Sequence, residues 1–225
     1  MRFDKRFVRL TATVFLVAAA VCACTSREDK VADLIKDDMF KNLYDFESYQ
    51  PIETKIDSLK HDKYGDTLIF DNVMLAYEVN KDFDKAANNF DEQERLAEVY
   101  FPSYYSSSLS DRKFNKSRSK MQEYLDEMKM YNMTLDSLQM LIRTLVKQCD
   151  GSQYGWLVTH KFRCKTKGGG STIGTYYYFM DNDCEKYYRR LDEADMSFEQ
   201  YKEWVDGAIT QPTNKERELK EKREN

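Results

Sequence analysis

Apolar side chains recur every three or four positions between residues 31 and 43, a spacing typical of one face of an amphipathic helix. The positions are Val31, Leu34, Ile35, Met39 and Leu43. Pro51 prevents the helix from continuing. Ile52, Thr54 and Ile56 then alternate with polar residues. This alternation predicts a short strand over 51–58.

Two longer runs with helical spacing follow, and a serine- and tyrosine-rich stretch around Pro102 separates them. The first begins after Asp66, a residue type that caps helix N-termini well, and extends to about residue 100. The second covers about 112–149 with roughly four heptads of apolar positions. One loop joins the two runs, so we expect an antiparallel, coiled-coil-like helical hairpin inserted at about 66–149. Asn80 and Glu94 interrupt the apolar face of the first run.

From Tyr154 the period changes to two. Alternating runs on either side of a triple-glycine turn at 167–171 predict a β-hairpin over 154–181, and 187–191 can add a third strand. Ser197 and Gln200 have the spacing of a capping box and predict a short helix after them.

These elements predict an α+β fold: a small antiparallel sheet with flanking helices and a long inserted helical hairpin. We expect a single domain over 31–210. Residues 211–225 are almost all charged or amide-bearing, which predicts a disordered tail.

The first 23 residues have the layout of a signal peptide. A basic start precedes 14 uncharged, mostly apolar residues, Leu10–Ala23, whereas a membrane-spanning helix needs about 20. The run ends in Val21-Cys22-Ala23-Cys24, which resembles the lipobox of bacterial lipoproteins, although Cys22 stands where a small or aliphatic residue is usual. The resemblance implies cleavage before Cys24 and acylation of that cysteine. The alternative is an uncleaved N-terminal anchor.

A signal peptide followed by a lipidated cysteine implies an exported chain that is lipid-anchored to the cell envelope, on the periplasmic or surface face of the outer membrane. Residues 24–30 would form a polar tether. Glu28 and Asp29 resemble the acidic signal for surface display in Bacteroidetes-type lipoproteins, and ordinary solvation of a tether is the alternative.

Two segments extend the resemblance to the rest of the chain: Leu43-Tyr-Asp-Phe-Glu-Ser-Tyr49 and Gly155-Trp-Leu-Val-Thr-His-Lys-Phe-Arg163. With them, the chain resembles a group of uncharacterised Bacteroidetes-type lipoproteins. That group has no known activity, so the resemblance implies a cellular location and a fold but not a reaction.

The net charge narrows the choice of partners. It is −4 for the whole chain, and removal of the basic signal segment makes the remainder more acidic. Because an acidic chain repels phosphate backbones, we expect no nucleic-acid partner. The expected partners are the lipid bilayer, through the acylated N-terminus, and an envelope protein or glycan.

Besides the signal segment and the lipidation site Cys24, the chain contains three cysteines, Cys149, Cys164 and Cys184. If the hairpin turn is centred on Gly168, Cys184 falls beside Ser152, three residues after Cys149 at the end of the second long run. This register predicts a Cys149–Cys184 disulfide and leaves Cys164 unpaired at the far end of the hairpin. Alternatively, Cys149 is a small apolar residue of the helical seam.

Candidate catalytic and metal-binding residues are few. His160 and Cys164 share a strand face, but four strand residues separate them by about 13 Å, which is too far for a thiolate–imidazole pair. Asp181, Asp183 and Glu185 could hold calcium, but they lack the glycine of an EF-hand loop. The triple-glycine turn has its lysine before the glycines, unlike a phosphate loop. We therefore assign no catalytic residue, metal or cofactor.

The leading hypothesis is a membrane-anchored envelope lipoprotein that acts as a non-catalytic binding or scaffolding module. The alternative is a hydrolase directed at an envelope or other polymer, which would need a pair of carboxylates facing each other across a cleft.

Lipidation can be tested at Cys24. We expect Cys24→Ser to abolish incorporation of radiolabelled palmitate and to release the protein from membranes, because the acylated residue is gone. A Cys24→Ser protein that still takes up label and sediments with membranes would refute the predicted anchor.

Overall fold

The computed structural model describes residues 26–102 and 107–217. This part of the chain has an α+β fold with four helices and a four-stranded antiparallel sheet, as the sequence predicts. The elements in chain order are α1 (Arg27–Asn42), β1 (Gln50–Lys60), α2 (Thr67–Val99), α3 (Ser108–Val146), β2 (Gln153–Lys165), β3 (Ser171–Asp181), β4 (Tyr187–Asp192) and α4 (Phe198–Thr210). A short 3-10 helix, Phe46–Ser48, precedes β1. None of the helices described is long and apolar enough to cross a membrane.

The described residues divide into two compact units. The sheet unit contains residues 26–59 and 154–194, and the helical unit contains 60–102, 107–153 and 195–217. Helix α4 therefore groups with the long helices and not with the sheet.

Helix α1 begins earlier than the sequence suggested, so the tether predicted at 24–30 is shorter. The Ser26 hydroxyl accepts a hydrogen bond from the Asp29 backbone N–H at 3.1 Å, and the Asp29 carboxylate accepts one from the Ser26 N–H at 3.2 Å. This reciprocal capping box supplies partners for N–H groups that a helix start leaves unpaired. Of the predicted tether, only Ser26 among the described residues precedes the helix.

The sheet has the strand order β1-β2-β3-β4. Its β2–β3 hairpin has the register expected for a turn centred on Gly168: Gly155 pairs with Asp181, and Cys164 pairs with Thr172. The core of the unit forms where α1 packs on one face of this hairpin. The buried apolar residues of that core include Val31, Ile35, Met39, Val158, Phe162, Tyr178 and Met180.

Strand β1 lies at an edge of the sheet, and most of its residues are exposed. Ile52 is 49% exposed, and Leu59 is the only fully buried residue of the strand. The alternation of Ile52, Thr54 and Ile56 therefore predicted the strand correctly, and of the three only Ile56 is partly buried against the core of the unit.

Helices α2 and α3 pack along each other as the predicted hairpin. Asp66 is the N-cap of α2, and its carboxylate accepts from the Ile69 N–H at 2.8 Å. The predicted apolar face of α2 is buried at its start, but further along the helix Gln93 is buried and Glu94 is exposed. A straight helix drifts relative to a strict seven-residue repeat, which moves the buried position by one residue.

Leu138 on α3 tests this packing, because it is 8% exposed. We expect Leu138→Ala to lower the free energy of unfolding of the helical unit by about 2–5 kcal/mol, since the lost contacts leave a cavity. Urea unfolding followed by Trp204 fluorescence in a Trp156→Phe background would measure the change. Leu141→Ala is the matched control: Leu141 is 44% exposed on the same helix, and its truncation should cost less than about 1 kcal/mol. Equal effects of the two substitutions would contradict the packing.

Candidate binding groove

The helical unit contains a groove of about 590 Å³ that is open to solvent. Its walls come from α2, α3, α4 and the segment 211–217. The apolar lining residues are Val73, Ala76, Phe83, Leu135, Ile142, Trp204, Ala208 and Pro212. The polar ones are Asn80, Asn132, Asp136, Gln139, Glu203, Gln211, Asn214 and Arg217. Small-molecule sites in proteins commonly have this size and this mixed lining.

One wall of the groove is the beginning of the segment predicted to be a disordered tail. Instead, residues 211–217 lie along α3 and end in a helical turn at 214–217. The two oxygens of Asp136 accept from the backbone N–H groups of Asn214 and Lys215, at 2.8 and 3.0 Å. A carboxylate in this position caps the turn as an N-cap residue would. Residues 218–225 lie outside the described part of the chain.

A second contact holds the same segment. The Arg143 guanidinium on α3 donates to the carbonyl oxygen of Ala208 at 2.9 Å and to that of Gln211. These carbonyls are at the C-terminal end of α4, where a helix leaves carbonyl groups unpaired and where positive charge is stabilising. Arg143 therefore fixes the end of α4 and the start of the wall together.

Helix α4 is oriented by buried residues one turn apart. Tyr201 and Val205 are fully buried, and the Tyr201 hydroxyl donates to the Tyr64 carbonyl oxygen at 3.1 Å. With that face turned inward, Trp204 is half-buried and lines the groove. The ring of Tyr77 meets the Trp204 ring edge-on, with 5.6 Å between centroids. The indole is thus held by an aromatic neighbour.

Several side-chain amides on the groove walls are held through one atom. The Asn214 amide donates to Asn132 Oδ1 at 3.1 Å, and the Gln139 amide donates to the Gln211 carbonyl oxygen at 2.6 Å. Sequence reasoning missed this group, because its members come from separate helices and match no motif. Trp204 lies in the short helix predicted after Ser197, but nothing in the sequence marks it as part of a site.

The sheet unit holds a buried carboxylate, that of Asp38, which is 3% exposed. It accepts hydrogen bonds from the hydroxyls of Tyr178 (2.8 Å) and Tyr187 (2.7 Å) and from the Arg190 guanidinium (2.7 Å). Burial acts to raise the pKa of Asp38, but these bonds outweigh it and hold that pKa below its ordinary value. Asp38 thereby ties α1 to β3 and β4.

His160 is buried in the same unit, beside a cavity of about 170 Å³. Its Nε2 lies 2.8 Å from the Tyr49 hydroxyl, and its Nδ1 lies 2.9 Å from the Thr54 hydroxyl. Burial lowers the pKa of His160 to about 4, so the imidazole is neutral at pH 7. Both ring nitrogens are satisfied, so His160 is a packed histidine of the core.

Cys24, the predicted lipidation site, lies outside the described residues. Cys149, Cys164 and Cys184 are all free thiols in the structure, in contrast to the predicted Cys149–Cys184 disulfide. The register that suggested the bond does not extend to Cys184, because β3 ends at Asp181 and the chain turns there.

The acidic residues after β3 belong to this turn. Asp181 accepts from the backbone N–H of Glu185 at 2.9 Å and of Lys186 at 3.4 Å. Within 26–102 and 107–217, no cluster of three His, Cys, Asp or Glu side chains is arranged to hold a metal ion.

A histidine between two carboxylates was not recognised in the sequence. His61 Nε2 lies 2.9 Å from Asp66, and its Nδ1 lies 3.1 Å from Asp150. The hydrogen bond with Asp150 is the main cause that raises the pKa of His61. Asp66 caps the start of α2 and Asp150 follows the end of α3, so His61 links the two ends of the helical hairpin. Because these residues are far apart along the chain, the sequence alone does not indicate that they come together.

Comparison of the chain with protein-family models, with curated proteins and with solved structures finds no match.

The Asp38 cluster can be tested by substitution. Asp38→Asn keeps the size of the side chain but leaves Arg190 without its counter-charge. We expect it to lower the free energy of unfolding of the sheet unit by about 3 kcal/mol at pH 7. Urea unfolding followed by Trp156 fluorescence in a Trp204→Phe background would measure this. Asp37→Asn is the control, because the Asp37–Lys41 pair is exposed and should contribute less than about 1 kcal/mol.

The same cluster predicts a pH dependence. Because the pKa of Asp38 is lower in the folded than in the unfolded protein, its stabilisation is present above the ordinary value of 3.8 and is lost as the pH falls through the folded-state pKa. The difference between wild type and Asp38→Asn should therefore shrink in acid. A difference that stays constant down to the acid unfolding transition would contradict the assignment.

Proposed function

We propose that this protein is an envelope lipoprotein, anchored through Cys24, whose helical unit is a non-catalytic binding module for an envelope component. The groove between α2, α3 and α4 is the observation that carries the proposal. Three helices and a pinned segment build it, so it is largely formed before any ligand binds, which limits the entropic cost of binding.

The start of α1 adds to the anchoring part of the proposal. Only Thr25 separates Cys24 from Ser26, the N-cap of α1. At about 3.3–3.6 Å per residue, a lipid on Cys24 would hold the start of the sheet unit within about 10 Å of the membrane surface. Asp29 also has a structural role as a member of the capping box, which offers a reason for its position other than a surface-display signal.

The chemistry of the groove favours binding over hydrolysis. A glycosidase-type mechanism needs two carboxyl groups that are available to the substrate. Asp136 and Glu203 both line the groove, but both oxygens of Asp136 accept backbone N–H groups of the wall. Asp136 therefore serves to hold the wall in place.

Gly207 offers a way to block the groove with a matched control. It lies in α4 and lines the groove, and a Cβ added there would meet no neighbouring atom closer than 3.7 Å. Gly207→Ala should fit and should stabilise the helix by about 0.5–1 kcal/mol, because glycine is a poor helix former. Gly207→Phe should place a ring in the groove.

We expect wild type and Gly207→Ala, immobilised as full chains, to retain the same component of a detergent-solubilised envelope fraction, and Gly207→Phe to lose it. Thermal unfolding of the three proteins would confirm that each is folded. Retention by Gly207→Phe equal to that of Gly207→Ala would show that the groove is not the binding site.

A further inference from the structure

We propose that the groove binds a neutral oligosaccharide, with Trp204 as the stacking surface and side-chain amides as the hydrogen-bonding groups. This inference rests on the proposed binding function and names the chemical class of the ligand. It follows from the charge, the hydrogen-bonding atoms and the aromatic surface of the groove.

The charge of the lining disfavours strongly anionic ligands. Two carboxylates, Asp136 and Glu203, and one guanidinium, Arg217, are its charged groups. Phosphate- and carboxylate-rich ligands are bound by clusters of cationic donors, and the groove has a small negative balance instead. A neutral ligand meets the least electrostatic opposition here.

Within the part of the chain that the structure describes, these amides have both donor and acceptor atoms that make no hydrogen bond. Asn132 is held through Oδ1, which leaves its Nδ2 donor. Gln139 is held through Nε2, which leaves its Oε1 acceptor. Asn80 donates to Asp84 at 3.2 Å and keeps its own Oδ1. A hydroxyl group both donates and accepts, so a ligand with many hydroxyls can use this mixed set. Because one atom of each amide is already fixed, little rotational freedom remains to be lost.

Trp204 completes the match to a sugar. A pyranose ring has a face of C–H groups that can lie on an aromatic ring, whose face carries partial negative charge. The edge-on contact with Tyr77 restrains the indole. A purely apolar ligand such as an acyl chain would cover Trp204 equally well. It would also bury the unpaired atoms of Asn132 and Gln139 without hydrogen bonds, which is costly.

The chain provides its own reporter for a test. It has two tryptophans, and Trp156 belongs to the sheet unit, so in a Trp156→Phe variant all tryptophan emission comes from Trp204 in the groove. The full chain would be kept in a zwitterionic detergent without a sugar headgroup. Chitotetraose and maltotetraose would be the neutral probes, and tetragalacturonate the anionic one.

We expect at least one neutral tetrasaccharide to shift the Trp204 emission in a saturable manner, and tetragalacturonate to bind at least about tenfold more weakly. In the reporter background, Asn80→Ala should weaken binding of that sugar about tenfold, the effect of one lost hydrogen bond. Asn88→Ala, at an exposed position of α2 away from the groove, should leave the affinity unchanged. By calorimetry, Trp204→Ala should abolish the binding heat.

Three results would overturn the inference: no saturable shift with either neutral sugar, tetragalacturonate binding as tightly as the neutral sugars, or unchanged affinity in Asn80→Ala. The envelope-retention experiment with Gly207→Phe distinguishes this failure from failure of the proposed function. If retention depends on the groove while the sugars do not bind, the binding module stands and the ligand class is wrong. If neither depends on the groove, both proposals fail.

Discussion

The return of the chain to its starting point is the constraint on which the rest of this structure depends. Strands β1 and β2 are neighbours in the sheet, yet two long helices separate them in sequence. The backbone closes the gap directly: the His61 N–H donates to the Ser152 carbonyl oxygen at 2.7 Å, and the Gly151 N–H donates to the His61 carbonyl oxygen at 2.9 Å. Gly151 has a φ of +73°, a conformation that glycine adopts without strain. The contacts of the His61 ring nitrogens with Asp66 and Asp150 reinforce this closure through side chains.

Because the base of the hairpin is closed, α2 and α3 remain paired over their length and offer a shared surface to a third helix. Helix α4 occupies part of that surface through Tyr201 and Val205. The rest is left as the groove, and the segment 211–217 limits it on one side. The groove is therefore a consequence of how three amphipathic helices of unequal length pack: the shorter one cannot cover the whole of the seam left by the longer two.

The sheet unit shows two ways of burying a polar group. Asp38 keeps its charge, because two tyrosine hydroxyls and Arg190 compensate for lost hydration. His160 gives up its charge, because burial disfavours the imidazolium form and lowers the pKa of the ring. Both residues join elements of the sheet unit: Asp38 joins α1 to β3 and β4, and His160 on β2 joins that strand to Tyr49 and Thr54. Because hydrogen bonds are directional, the contacts of Asp38 and His160 orient the elements that they join, which apolar packing alone does not do.

Structural features that depend on residues close together in the chain can be predicted from this sequence. The spacing of apolar residues, the caps at Asp66 and Ser197 and the glycine turn centred on Gly168 specify the helices, their starts and the hairpin register, because each depends on residues a few positions apart. The candidate groove could not be predicted from the sequence, because Asn132, Trp204 and Asn214 are far apart in the chain. They act together only after the helices have packed. The ordered conformation of residues 211–217 could not be predicted either. Their charged composition predicts disorder, but in the folded helical unit Asp136 and Arg143 bind the segment. Periodicity determined which elements form, whereas tertiary packing decided which of their faces meet, because burial and hydrogen bonding across long sequence separations depend on the arrangement of the whole unit.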